Sequence, residues 1–236
     1  MFQFLCYFVL STTLFSAPNP RSLQPQVESL LTRDFETTVD SLEKLGPTAY
    51  LPLQTLAFDS NQSMEKRWKS LMALAKLAGS QSLPIVEKAL TDSHWFMRSA
   101  GLTALEALDK KKSLKWAFEK LKSDPALMVR MKAFEVLRGQ ENNSITELFW
   151  QKLHSADSFH QNRSLWIRYD LAYELLQRPR KKDIQRWVSI LHGRDNKLQA
   201  IASQALSKLS GQTSPSQDNQ VSFWQEKYPQ SQKNKL

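Results

Sequence analysis

The chain has 236 residues, 41% of them hydrophobic, with seven Trp and six Gly, which allows a substantial core and excludes a disordered or fibrous class. Its formal net charge of +9 points to phosphates, anionic lipid or acidic protein as neighbours. The single thiol, Cys6, lies in the first apolar run, so disulfides, thiol catalysis and Cys-based metal sites are excluded beyond it, a usage compatible with an oxidising compartment.

Residues 1–20, MFQFLCYFVLSTTLFSAPNP, carry no charged side chain. The sixteen residues from Phe2 to Ala17 are short for a spanning helix, which needs about twenty, and suit a signal-peptide core. Phe15 stands where a cleavage site favours a small side chain, so a retained anchor stays open beside a cleaved leader. Either form predicts export to the periplasm, free or anchored in the inner membrane. Next, VESLLTRDFETTVDSLEKLG predicts one long helix closed by Gly46-Pro47. LPLQTLAFD predicts a short one.

From there the chain is written in pairs. KRWKSLMALAKLAG, DSHWFMRSAGLTALEAL and DPALMVRMKAFEVL each contain an Arg (Arg67, Arg98, Arg130). Each Arg is followed by an apolar residue at four (Leu71, Leu102, Phe134) and at seven (Leu74, Leu105, Leu137), the spacing of one helical face. Downstream, SLWIRYDLAYELL sets Tyr173 and Leu176 in that register, and KLQAIASQALSKLSG sets Leu206 and Leu209. Each helix is preceded by another: SLPIVEKALTD, SLKWAFEKLKSD, SITELFWQKLHS and DIQRWVSILHG, all opening on Ser or Asp as N-cap. No stretch alternates long enough to predict a strand. An amphipathic pair buries its apolar face only by stacking on its neighbours, so the pattern predicts an all-α solenoid of about five helix pairs. The expected organisation is a leader over 1–20, the solenoid over 24–211 with an opening helix, and a capping tail over 212–236, where Phe223, Trp224 and Tyr228 fold back on the last pair.

The unit with Asp92, Arg98, Ala100, Ala104 and Leu105, repeated as Asp124, Arg130, Ala133 and Leu137, resembles the HEAT repeat in its short bacterial form, over roughly residues 44–211. The resemblance implies a superhelix used mostly as a protein-binding scaffold. It also implies the job of the charged pair: Arg67, Asp92, Arg98, Asp124 and Arg130 make a structural ladder that sets the angle between repeats. The functional alternative is that the arginines line a surface for an anionic partner.

Catalytic signals are absent. His154 and His160 are six apart, not at the spacing that places two metal ligands on one helical face. There is no HExxH, GxSxG or Gly-rich phosphate loop, and the acidic residues are scattered. No enzyme activity, metal or cofactor is therefore expected. Trp116, Trp150 and Trp187 recur in the first helices and are expected in the core; Trp95 is expected in a turn. Two basic runs stand out as contacts for an anionic partner: Lys110, Lys111 and Lys112 in one expected loop, and Arg178, Arg180, Lys181, Lys182 and Arg186 around another marked by Pro179. The leading expectation is a non-catalytic envelope scaffold for a protein partner of acidic character, with an anionic membrane surface as a further neighbour. The alternative is a nucleic-acid-binding protein related in fold to the alkylpurine DNA glycosylases. Export argues against it, because an exported protein never meets the chromosome. Related repeats also occur in chromophore lyases, but no residue here argues for that role.

Overall fold

A computed structural model describes residues 23–212 and 219–229. The leader and part of the expected capping tail lie outside these residues. Among the described residues the fold is all-α, a HEAT-like helical-repeat solenoid interrupted by one short hairpin. None of the described helices is long and apolar enough to cross a membrane. The chain divides into two compact units, one ending at Val86 and the other beginning at Glu87.

The first unit holds α1 (Gln24–Leu30), α2 (Phe35–Leu45), α3 (Tyr50–Phe58) and α4 (Met64–Ala78). The single long helix expected at its start is broken in two. Asp34 adopts extended backbone (ψ 158°), and its carboxylate accepts from the Thr37 N–H at 2.9 Å, so it caps α2 instead of continuing α1. Thr38 Oγ1 then donates to the Leu30 carbonyl at 2.9 Å and holds the two helices together. Val27, Leu31, Val39, Leu42, Leu53, Leu56 and Leu74 form the core. A further helix, α5 (Leu83–Ala89), runs across the division.

The second unit continues with α6 (Trp95–Leu108), α7 (Lys110–Ser123), α8 (Leu127–Leu137) and α9 (Asn143–His154). After the hairpin β1 (Phe159–His160) and β2 (Arg163–Ser164) come α10 (Trp166–Gln177), α11 (Ile184–Leu191), α12 (Asn196–Ser210) and α13 (Gln220–Lys227). Helix α6 packs on α7 and α8, α7 on α8 and α9, α9 on α10, and α10 and α11 on α12. Contacts between near neighbours only are the signature of a quasi-one-dimensional repeat array. The apolar residues at four and seven after Arg98 and Arg130 are all buried.

Several local expectations are corrected. Ser113 and Ser144 lie inside their helices, because better caps stand upstream: Asp109 accepts from the Lys112 N–H and Asn142 from the Ser144 and Ile145 N–H groups. Lys110, Lys111 and Lys112 are therefore the first turn of α7 and not a loop. Trp95 opens α6 and is not in the preceding turn. In α10 the register is off by one: Ala172 and Leu175 are buried while Tyr173 is exposed, so Arg168 and not Tyr169 occupies the position of Arg98. The hairpin turns on Gln161 and Asn162, both at positive φ (47° and 61°), as a two-residue hairpin turn demands. Its strands are too short for alternation to show in sequence.

Trp150 and Trp187 are buried edge to face with ring centroids 4.7 Å apart, whereas Trp116 is only half-buried. Helix α13 packs on α11 and α12. Its Trp224 is fully buried and donates Nε1–H to Ser207 Oγ at 3.2 Å, while Gln225 Nε2 donates to the Leu191 carbonyl at 3.0 Å.

Candidate functional site

The six-residue Asp-to-Arg spacing has a geometric cause. Asp92 Oδ1 accepts from the His94 N–H at 2.8 Å, and Asp124 Oδ1 from the Ala126 N–H at 3.0 Å, so each Asp closes the turn that starts the second helix of its pair. One helical turn later the Arg reaches back over that turn. Arg98 Nη1 donates to the carbonyls of Asp92 and Ser93 at 3.0 and 2.9 Å, and Arg130 Nη1 to those of Asp124 and Pro125, both at 2.9 Å. The rest of each guanidinium points to the next repeat. Arg98 grips the Asp124 carboxylate bidentately, Nε to Oδ2 at 2.7 Å and Nη2 to Oδ1 at 2.8 Å. Arg130 Nη2 donates to the Asp157 carbonyl at 2.7 Å, with its Nε 3.7 Å from that carboxylate, which Lys152 takes instead.

Burial alone would push the Asp124 carboxyl up, but the bonds from Arg98 and the Ala126 N–H outweigh it and hold it below the ordinary carboxylate range. Asp124 in turn raises the Arg98 guanidinium. In the first unit, Arg67 is buried and donates Nε–H to the Ala57 carbonyl at 3.0 Å.

The second basic run is largely paired. Arg178 meets Glu141 and Glu174, Arg180 meets Glu147 and Asp183, and Arg186 meets the same two acids. Lys182 Nζ lies 3.6 Å from Glu147, and Lys181 is exposed. Burial would raise the Glu147 carboxyl, but Arg186 and Arg180 bring it below its usual value. In the first run Lys112 pairs with Glu87 at 2.9 Å, and Lys110 and Lys111 are exposed. The two runs do not join: α9 lies between, packed on α7 and meeting α11 through Trp150 and Trp187.

Two further features face solvent. Large apolar side chains stand exposed at the start of successive second helices: Trp95 on α6, Met128 on α8 and Trp166 on α10, the last 75% exposed. Met64, the first residue of α4 in the first unit, is exposed as well. The second feature is a cleft of about 740 Å³ lined by His154, the hairpin, the start of α10 and the α11–α12 turn. Arg168 donates Nε–H to the Leu153 carbonyl at 2.8 Å, and its guanidinium lies 4.0 Å over the Phe159 ring. Burial lowers its proton affinity. Asp195 caps α12 and accepts from Ser164 Oγ and from Tyr169 OH at 3.1 Å. Burial would raise its carboxyl, but these bonds hold it below the ordinary value. Burial, with Arg168 and Arg186 nearby, depresses the His154 imidazole below its ordinary value. Among the described residues no group of three or more His, Cys, Asp or Glu is placed to hold a metal.

Residues 51–138 match the family of HEAT repeats. This stretch of the chain is similar to HEAT repeats. It holds the two clearest Asp–Arg units and ends one residue after Leu137. No curated protein matches the chain in sequence. Among solved structures, human deoxyhypusine hydroxylase in complex with glycerol is similar with a TM-score of 0.35 and 14% identity, over 92% of this chain and 76% of that one. A likeness that loose supports nothing about activity.

Beyond the matched HEAT stretch the pattern continues through residues that sequence reasoning missed. Asp157 and Arg168 are eleven apart instead of six, because the hairpin is inserted between them. Asp195 stands where Asp124 stands in its own unit, capping a second helix, and six residues later the place of the Arg is taken by Ile201, which is buried.

Proposed function

We propose that the chain is a non-catalytic interaction scaffold, exported to the bacterial cell envelope, that holds a protein partner along the edge marked by Trp95, Met128 and Trp166. The observation that carries this reading is the recurrence of a large exposed apolar side chain within the first two residues of successive second helices. A folded chain gains nothing from leaving such groups in water, and Trp is the side chain most enriched among binding hot spots. The buried Arg98, Asp124 and Arg130 do not compete for this role, since they bond within and between repeats. The exposed Lys110, Lys111 and Lys181, without an ion pair among the described residues, favour an acidic partner or a nearby anionic membrane surface.

The nucleic-acid alternative has less support. A DNA groove needs guanidiniums free for phosphate, and Arg178, Arg180 and Arg186 are held by Glu141, Glu147, Glu174 and Asp183. Fractionation of the native host, with the intact mass of the recovered protein, tests the location. The expected result is periplasmic protein about seventeen residues lighter than the full chain, or full-length protein in the membrane fraction. Full-length soluble protein in the cytosol, with duplex-DNA affinity falling steeply as salt rises, would establish the alternative.

A further inference from the structure

The hairpin of residues 159–164 is the one interruption of the helical repeat among the described residues. Stacking does not need it, since α6, α7 and α8 pack without one. In repeat proteins an insertion within a single unit maps to a loop on one face, often the binding face. Here the insertion forms a wall of the 740 Å³ cleft, a volume within the range of small-molecule sites.

The cleft's lining has a definite chemistry. Arg163 and Arg194 line it and are exposed, and neither side chain has a hydrogen bond or ion pair among the described residues. Arg168 is buried, fixed through Nε and Nη1, and leaves Nη2 without an acceptor among the described residues. Three guanidiniums against the one carboxylate of Asp195 leave two positive charges around the cleft. Lys197, with Nζ 4.3 Å from the Tyr169 ring centroid, adds to the same field. Tyr169 and Ser164 already donate to Asp195, which locks that acid in place. Phe159, Ile190 and Leu198 supply apolar walls. Guanidiniums match phosphate oxygens in pairs, and a phosphate monoester carries close to two negative charges at neutral pH.

We propose that the hairpin cleft binds a phosphate monoester attached to a small apolar body, with Arg163, Arg194 and Arg168 on the phosphate and Phe159, Ile190 and Leu198 against the body. The site adjoins the protein-binding edge at the start of α10 but uses different side chains. The ligand is either a soluble phosphomonoester or the monoester headgroup of a membrane lipid.

The test is calorimetric titration of the full chain with phenyl phosphate, beside benzoate at equal ionic strength. Vesicles of phosphatidylcholine with and without phosphatidic acid form a second arm, read by sedimentation. The variants are Arg163→Ala/Arg194→Ala, both exposed and outside the ladder, and Lys115→Ala/Lys122→Ala, exposed on α7, as a charge-matched control. The expected result for a soluble ligand is one saturable site for phenyl phosphate, weaker for benzoate, with affinity falling about tenfold or more in the arginine variant and unchanged in the lysine control. If only phosphatidic acid vesicles bind, with the same dependence on the two arginines, the proposal holds with a lipid as the source. Absence of binding in both arms, equal affinity for benzoate, or equal losses in the two variants would overturn it.

Discussion

Asp124→Ala tests the claim that the recurring Asp and Arg are a mechanical ladder. The Asp124 side chain is 1% exposed, holds Arg98 through two bonds of 2.7 and 2.8 Å, and accepts from the Ala126 N–H. Its removal strands a guanidinium that is itself buried. Breaking a buried pair by deleting one partner costs about 3–5 kcal/mol. Arg98 keeps its bonds to the Asp92 and Ser93 carbonyls, which places the loss near the low end, about 3 kcal/mol. Asp124→Asn retains an acceptor for Ala126 and loses the charge, at about 1–2 kcal/mol. Adding Arg98→Met to Asp124→Ala should cost less than the two single changes together, because no buried charge is left behind. Urea unfolding followed by far-UV circular dichroism reads these variants and Arg98→Met alone. The Asp124 carboxyl is depressed in the folded state, so its stabilisation is complete above the unfolded value near about 3.9 and is lost as pH falls through the folded value. Asp124→Asn should therefore lose less stability than the wild type on going from about pH 5 to about pH 3. Strict additivity, or an Asp124→Ala protein within about 0.5 kcal/mol of wild type, would refute the ladder.

Two further changes probe the packing. A methyl group on Gly101 would sit 3.0 Å from the Leu90 side chain and 3.1 Å from its backbone nitrogen. Gly101→Ala should then destabilise by about 1 kcal/mol net, an overpacking cost of about 1–3 offset by about 1 of helix propensity; a more stable variant would contradict the close approach. Trp224→Ala removes a fully buried ring from α13 and should cost about 3 kcal/mol, with faster amide exchange along α12. Unchanged exchange there would mean that α13 does not close the array.

The sequence declared its architecture wherever one unit repeats the last without insertion. Arg98 and Arg130 stand six residues after their Asp, and the apolar positions that follow are buried. What stayed hidden depends on contacts that no local pattern encodes. The hairpin moved Arg168 eleven residues from Asp157, which shifted the reading of α10 by one and left Arg168 and Asp195 outside the expected ladder. Asp34 looked like a polar residue inside a helix because only its extended backbone reveals it as a cap. The basic run from Arg178 looked free because two of its counter-charges, Glu141 and Glu147, lie more than thirty residues upstream. The exposed row of Trp95, Met128 and Trp166 was illegible for a similar reason: Trp95 was visible in sequence, but its grouping with Met128 and Trp166 rests on where each helix begins.

Site-specific photo-crosslinking in the native host tests the central claim most directly. A photoreactive residue placed at 95, 128 or 166 should give one common adduct of discrete mass, absent when it is placed at the exposed Glu119 on α7. Adducts that differ among the three positions, or that appear equally from position 119, would contradict a protein-binding edge along the starts of the second helices.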